Sequence, residues 1–155
     1  MNDLPIQDAA CELCVLEVPT VYADDKLSVI IVEDANYPGY CRVIWRDHVR
    51  EMSDLAEEDR LLLNDVVYQV EQAVRETMAP TKMNVASLGN VVPHLHWHII
   101  PRYADDAHFP APVWAAAVRH SDESVLAARR AQLPHLAEAI AQRLLLKKYS
   151  HAKPD

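Results

Sequence analysis

The chain has 155 residues and a mass of 17.5 kDa, and 50% of its residues are hydrophobic, which is enough to bury one core and predicts a single domain over residues 1–155. Fifteen Lys and Arg residues against 23 Asp and Glu residues give a net charge of −8, which argues against sequence-independent binding to nucleic-acid polymers or to anionic membranes. The two glycines, Gly39 and Gly89, cannot form a GxGxxG fingerprint or a Walker P-loop, so the common nucleotide-binding motifs are excluded.

The cysteine content and the first residues indicate where the protein works. Cys11, Cys14 and Cys41 form an odd, sparse set that does not fit a secreted disulfide framework. The first ten residues lack the basic start and the apolar run of a signal peptide, and no apolar run is long enough to span a membrane. The sequence therefore predicts a cytoplasmic protein.

The first half of the chain has the pattern of three strands. Partly alternating β-branched residues at 18–22 and 27–32 predict a hairpin, because such residues favour the pleated backbone. Residues 34–39 have the composition of a turn, and residues 41–45 alternate as a third strand would.

A long helix is predicted next. Ser53 or Asp54 is expected to cap it, and the acidic residues at 57–59 suit the positive end of its dipole. Apolar residues then recur at helical spacing from Leu63 to Met78, and Pro80 marks the end.

The second half of the chain predicts two more strands and two more helices. The predicted elements are a fourth strand at 82–88, a turn at Gly89, a fifth strand at 95–102, an ordered loop at 103–114 and helices at 121–132 and 136–148. This order predicts an α+β fold with a mostly antiparallel five-stranded sheet, one long helix between strands 3 and 4, and C-terminal helices.

Three histidines alternate along the predicted fifth strand. Because side chains at i, i+2 and i+4 share one face of a strand, His94, His96 and His98 are expected to form a row, with Leu95 and the other intervening residues facing the core. Neighbouring imidazoles disfavour each other's protonation, so at least one is expected to be neutral near pH 7. A neutral imidazole can attack phosphorus when its second nitrogen donates to a fixed acceptor, which favours covalent phosphoryl or nucleotidyl transfer. Ordinary half-buried histidines and a transition-metal site are the alternatives.

Residues 94–100 read His-Leu-His-Trp-His-Ile-Ile, which resembles the His-φ-His-φ-His-φ-φ signature of the histidine triad (HIT) superfamily, where φ is apolar. The segments Cys-Glu-Leu-Cys at 11–14, Pro-Gly at 38–39 and Arg-Asp-His at 46–48 occur in the same order as in that superfamily. The resemblance implies a HIT-like core over about residues 11–103, followed by a loop and helical extension over about residues 104–148.

The resemblance also implies a function. HIT proteins of this kind are nucleotide hydrolases or nucleotidyl transferases that act at the α-phosphate of a dinucleoside polyphosphate or a nucleoside phosphoramidate. By position, His96 would be the nucleophile that forms a nucleotidyl-histidine intermediate. His98 would contact the phosphate and help the leaving group, and His94 would orient the row.

The same resemblance implies the substrate contacts and the assembly. Asp34 would hold the ribose hydroxyls of a purine nucleotide substrate, and Asn84 and Asn90 would contact phosphate. No metal or other cofactor is required for the chemical step. The protein would be a homodimer whose sheets join edge to edge.

The loop before the histidines departs from the superfamily pattern. Members commonly have a glycine-rich stretch that ends in Gly-Gln-Ser/Thr, whereas residues 88–93 of this chain form a shorter loop in which Val91 cannot donate to a phosphate oxygen. Tyr40 stands where a histidine often follows Pro-Gly. These departures keep two alternatives open: a nucleotide-binding regulatory module with little turnover, and a metal-binding protein that uses the histidine row.

Cys11 and Cys14 have the spacing of a metal knuckle, but a closed zinc site needs four ligands. In zinc-bearing relatives the other two ligands correspond to His48 and His94, so the resemblance implies a structural zinc site. Two reduced, partly buried thiols are the alternative.

Three polar residues that follow the histidines have no partner that the sequence can identify. Asp105 and Asp106 are expected either to bind a cation or to lie in solvent on the loop, and His108 is expected at the surface.

Overall fold

The computed structural model describes residues 6–150, with side chains described up to residue 147. The strands are β1 (Tyr22–Ala23), β2 (Leu27–Ile31), β3 (Cys41–Trp45), β4 (Lys82–Ala86) and β5 (His96–Arg102), and the helices are α1 (Glu57–Met78), α2 (Glu123–Arg130) and α3 (Leu133–Ser150). The strands form one antiparallel sheet in the order β1-β2-β3-β5-β4. The predicted α+β fold with an antiparallel five-stranded sheet is therefore confirmed, with the long helix between strands 3 and 4.

The first predicted strand is much shorter than expected. Residues 18–22 were expected to pair, but the ladder begins with Tyr22 opposite Val29. Pro19 lacks an amide hydrogen, so it cannot donate to a strand ladder, and Val18 is exposed.

One face of the sheet carries the main core. Its buried side chains include Leu27, Val29 and Val43 from the strands and Ile99 from β5, and α1 and α3 pack against them. Leu136, Ile140 and Leu144 of α3 are buried in the same cluster. The apolar residues whose helical spacing predicted α1 are therefore the ones that the helix buries against the sheet.

The N-cap of α1 differs from the sequence expectation, whereas the helix ends before Pro80 as expected. Ser53 and Asp54 do not cap the helix: residues Met52–Asp54 form a separate 3-10 turn, and Ala56 is the N-cap. The Asp54 carboxylate instead accepts hydrogen bonds from the backbone amides of Arg50 and Glu51. At the other end, Ala79 is the C-cap: it adopts a left-handed conformation with φ of 46°, and its amide donates to the Arg75 carbonyl just before Pro80.

The opposite face of the sheet is covered by the N-terminal segment. Cys11 and Leu13 pack there on Ile30 of β2 and Ile44 of β3. The histidines of β5 lie on this face, beside the covered region. No helix in the described part of the chain has the length and apolar character needed to cross a membrane.

Candidate active site

β5 places two of the three histidines side by side. His96 and His98 are paired with Ile44 and Arg42 of β3, and their ring centroids lie 4.9 Å apart. Both rings are almost completely buried, and Ile99 points to the core on the other face. At these positions the alternation in the sequence therefore places the histidines on one face of the sheet and the core residues on the other.

His94 does not continue the row. It lies before β5, where its backbone amide donates to the Val92 carbonyl, and its ring contacts the ring of His48 with centroids 5.3 Å apart. The expected row of three imidazoles is thus two adjacent rings plus a third that faces a different cluster. The alternation of faces still extends to His94, because Leu95 is buried in the main core and His94 contacts Cys11 and Cys14 on the opposite face.

The hydrogen bonds of His96 fix its tautomer. Its Nδ1 lies 2.5 Å from the His94 carbonyl oxygen, and because a carbonyl can only accept, Nδ1 must carry the hydrogen. Burial lowers the pKa of His96, and the positive charge of Arg42 lowers it further, against the His94 hydrogen bond and Glu12. The neutral ring then has an unprotonated Nε2.

His98 is also held neutral. Burial, the neighbouring His96 and the charge of Arg42 lower the pKa of His98 to about 4. Its Nδ1 is hydrogen-bonded to the hydroxyl of Tyr40, whose pKa is raised by burial, so the hydroxyl stays protonated near pH 7. The indole of Trp114 meets the His98 ring edge to face, with centroids 5.2 Å apart. The expectation that at least one histidine is neutral agrees with these directions.

A cavity of about 450 Å³ opens at these two histidines. Its walls are formed by Glu12, Leu13, Arg42, residues 88–92, His96, His98 and Trp114. A larger groove of about 940 Å³ runs between the N-terminal segment and residues 30–33, and it shares Glu12, Leu13 and Arg42 with the cavity. Each of the two spaces has the volume of a small-molecule site.

The three predicted substrate-binding residues lie in different places. Asn90 is part of the cavity wall. Asp34 follows the groove residues 30–33 directly, and its carboxylate accepts from the Asn36 amide at 2.9 Å. Asn84 lies on β4, where its side-chain oxygen accepts from Arg102 at 2.8 Å, and it is not among the residues that line the cavity.

Cys11, Cys14, His48 and His94 converge on one point. One ligand atom from each lies within 4.8 Å of the others. Nδ1 of His94 is 3.5 Å from both sulfur atoms, and Nδ1 of His48 is 3.3 Å from the Cys14 sulfur. A tetrahedral zinc ion separates its sulfur and nitrogen ligands by about 3.3–3.8 Å, so the donor set fits zinc. The His94 Nε2 donates to the Trp45 carbonyl at 2.5 Å, which leaves Nδ1 free to ligate.

The expectations for Asp106 and His108 were wrong. The Asp106 carboxylate is completely buried and forms an ion pair with Arg102 at 2.8 Å, so it neither lies in solvent nor faces an open cation site. His108 is half-buried, and its Nδ1 lies 2.6 Å from the Tyr37 hydroxyl. Both residues fix the loop that carries Trp114, which agrees with the ordered loop predicted at 103–114.

The sequence interpretation gave no role in the site to Arg42, and it noted Tyr40 only as a departure from the superfamily pattern. A signal for Arg42 existed, because it alternates with the core residues Cys41 and Val43 and must therefore share the face of the histidines. Trp114 reaches the cavity on the loop at 103–114, which was predicted to be ordered.

Comparisons with known proteins agree with this geometry. A HIT domain model matches residues 16–105. The chain is similar to the protein named Protein hit of Bacillus subtilis (strain 168), with 26% identity over 141 residues, which is 86% of this chain and 92% of the relative.

Two solved structures are similar as well. A histidine triad protein from Bradyrhizobium japonicum is 28% identical with a TM-score of 0.65, over 81% of this chain and 89% of the other. A histidine triad protein from Marinobacter aquaeolei VT8 is 30% identical with a TM-score of 0.63, over 79% of this chain and 90% of the other. The family match covers more than half of the chain, and so the chain belongs to the HIT domain family of nucleotide-binding proteins and nucleotide hydrolases.

Proposed function

We propose that the protein is a nucleotide hydrolase or nucleotidyl transferase that cleaves at the α-phosphate of a dinucleoside polyphosphate or a nucleoside phosphoramidate through a nucleotidyl-His96 intermediate. The observation that carries the proposal is the hydrogen bond from His96 Nδ1 to the His94 carbonyl. It leaves Nε2 of a neutral, buried imidazole as the nucleophile, in a ring that lines the cavity.

The reaction has two displacements at phosphorus. Nε2 of His96 attacks the α-phosphorus, a P–N bond forms, and the bond to the leaving group breaks. From a dinucleoside polyphosphate, the remaining nucleoside phosphate leaves as the anion; from a phosphoramidate, the amine leaves after it takes a proton from solvent. Water then attacks the same phosphorus, the P–N bond breaks, and a nucleoside monophosphate is released with a proton as His96 returns to its neutral form.

His98 supports both displacements in this scheme. With Tyr40 donating to Nδ1, the neutral ring of His98 carries its hydrogen on Nε2. That N–H donates to an oxygen of the phosphate or the leaving group, where negative charge increases in the transition state. Because the ring is buried against His96, the donor is held in place before the substrate arrives.

The groove next to the cavity suits the nucleoside. We propose that a purine base and its ribose occupy the groove, that Asp34 accepts hydrogen bonds from the ribose hydroxyls at its end, and that Asn90 contacts a phosphate in the cavity. Asn84 remains a weaker proposal for phosphate, since its side-chain oxygen is bonded to Arg102.

We also propose that the protein is a homodimer joined at a sheet edge. β4 pairs with β5 alone within the described sheet, and it is the longer of the two edge strands. An unpaired edge of this length offers free backbone donors and acceptors to a second copy. Light scattering at several protein concentrations tests the dimer.

The cysteine and histidine cluster is proposed to hold a structural zinc ion through Cys11, Cys14, His48 and His94. When bound, zinc crosslinks the N-terminal segment to the two histidines and supplies no part of the phosphoryl chemistry. The chain itself orients His94 through the Trp45 carbonyl and thereby fixes the carbonyl that accepts from His96.

A substrate panel tests the proposed function. Dinucleoside polyphosphates and nucleoside phosphoramidates are incubated with the wild type, with His96→Asn and with the matched control His135→Asn, whose histidine is exposed on α3. We expect nearly complete loss of turnover in His96→Asn, unchanged turnover in His135→Asn, and similar melting temperatures for all three. Native turnover by His96→Asn would refute the proposal, and nucleotide binding by the wild type without product would favour the regulatory alternative.

A further inference from the structure

Arg42 lies at the junction of the two spaces of the site. It is paired with His98 on one side and Ile30 on the other, so it lies on the same face of the sheet as the reacting histidines. It also lines both the cavity at His96 and the groove under the N-terminal segment. A ligand that spans the two spaces must pass this side chain.

The guanidinium of Arg42 has no ion-pair partner within the described part of the chain. No carboxylate there forms an ion pair with it, and its Nε is buried without a hydrogen-bond partner. The guanidinium carbon lies 5.7 Å from the centroid of the Tyr40 ring, and the interaction with Arg42 lowers the pKa of the Tyr40 hydroxyl against the effect of burial. A buried donor of a cation that lacks an acceptor is costly, and an anionic ligand would remove that cost.

The cavity otherwise offers little positive charge. The loop at 88–92 consists of Leu, Gly, Asn, Val and Val, so it has neither a hydroxyl nor a cationic side chain. The histidines are held neutral, and Glu12, an exposed carboxylate, is the acidic residue of the wall. Arg42 is therefore the cation of the cavity wall, and its charge is felt at both His96 and His98.

We propose that Arg42 binds the phosphate group of a nucleoside 5′-phosphate moiety at this junction, in place of the hydroxyl donor that the short loop lacks. The planar guanidinium can donate two parallel hydrogen bonds to phosphate oxygens, which a hydroxyl cannot. From its position between groove and cavity, it holds the phosphate beside His96 while the nucleoside lies in the groove. This inference deepens the proposed function and rests on it for the nature of the ligand.

The test compares AMP with adenosine as probes in calorimetric titrations. The proteins are the wild type, Arg42→Met, Arg42→Lys and the control Arg50→Met, in which an exposed arginine outside the site is changed. We expect Arg42→Met to weaken AMP binding by about 10- to 100-fold and to leave adenosine binding within about twofold, the size of a lost charged hydrogen bond. The AMP affinity of Arg42→Lys should lie between those of the wild type and Arg42→Met, because lysine keeps the positive charge but cannot donate two parallel hydrogen bonds. Arg50→Met should match the wild type.

Three results would overturn the inference. In the first, Arg42→Met weakens the binding of AMP and of adenosine equally. In the second, Arg42→Met weakens the binding of neither. In the third, the wild type binds AMP no more tightly than adenosine, or binds neither of them. Melting curves report whether each variant folds. Should Arg42→Met not fold, Arg42→Lys decides: selective weakening of AMP supports the inference, and unchanged AMP binding overturns it.

The proposed function fails in a different way. If the wild type binds AMP through Arg42 but turns over none of the substrate panel, the hydrolase proposal is wrong and the phosphate contact stands. If His96-dependent turnover is present while Arg42→Met binds AMP as the wild type does, the hydrolase stands and the phosphate contact is wrong.

Discussion

Replacing Asp106 by Asn should destabilise the protein strongly. The carboxylate accepts from Arg102 Nε at 2.8 Å and from its terminal nitrogen at 3.0 Å. It also accepts from the Tyr37 hydroxyl and from the backbone amides of Tyr103, His108 and Phe109, the last at 2.7 Å. Burial would raise the pKa of Asp106, but these donors outweigh it and hold the pKa well below its usual value. An amide nitrogen in place of one oxygen would face donors and leave Arg102 without a counter-charge.

The expected magnitude follows from the burial of the pair. The side chains of Arg102 and Asp106 are 2% and 0% exposed, so their interaction is not screened by solvent. Removing one partner of such a pair costs about 3–5 kcal/mol in the free energy of unfolding. For a chain of this length, that loss corresponds to a fall of about 6–20 °C in the melting temperature.

Urea unfolding followed by circular dichroism measures the effect, and the neighbouring residue supplies the control. Asp105 pairs with Arg129 at 3.0 Å but is 58% exposed, so Asp105→Asn should cost less than about 1 kcal/mol. In an Arg102→Met background, Asp106→Asn should cost much less than alone, because no buried cation is left unpaired. A similarly small loss for Asp106→Asn and Asp105→Asn in the wild-type background would refute this account of the loop.

Three further predictions concern the site. Tyr40→Phe should lower kcat by about 10- to 100-fold with little change in KM in steady-state assays, because the buried Nδ1 of His98 loses its partner. The control Tyr22→Phe removes a hydroxyl that is bonded to Asp24, and it should leave both constants unchanged. Cys14→Ser should lose the zinc measured by elemental analysis and should melt at a lower temperature. The control Cys41→Ala changes a core cysteine outside the cluster and should keep its zinc. Chelation that abolishes turnover without unfolding the protein would contradict a structural role for the zinc. Burial lowers the pKa of His98 to about 4, so between about pH 6.5 and pH 4 this histidine takes up a proton in the unfolded chain but not in the folded chain. The free energy of unfolding should therefore fall as the pH drops through that window. In urea titrations, His98→Asn should reduce the slope of the free energy of unfolding against pH.

Much of the fold could be predicted from periodicity alone. The apolar positions of α1 and the alternation along β3 and β5 are imposed by the faces that these elements bury, so sequence and structure agree there. Asp54 was assigned as a helix cap on composition, yet its carboxylate closes a separate turn. Local propensity identifies a capping residue but not which amide it reaches.

The site could be predicted in part, for a similar reason. Strand alternation identifies His96 and His98 and could have identified Arg42, because it depends on backbone geometry only. The positions of His94 and Trp114 depend on contacts between segments far apart in sequence. His94 turns to His48 just before the strand begins, and Trp114 reaches His98 on a loop fixed by a buried ion pair.

The central claim concerns one nitrogen atom, Nε2 of His96. Mixing the protein with a nucleoside phosphoramidate, quenching at neutral to alkaline pH within the first turnover and measuring the intact mass tests it most directly. We predict an increase by one nucleoside monophosphoryl group, lost on brief acid treatment and assigned by fragmentation to the peptide that contains His96. Rapid substrate turnover with no adduct at any quench time, or an adduct on another residue, would contradict the account.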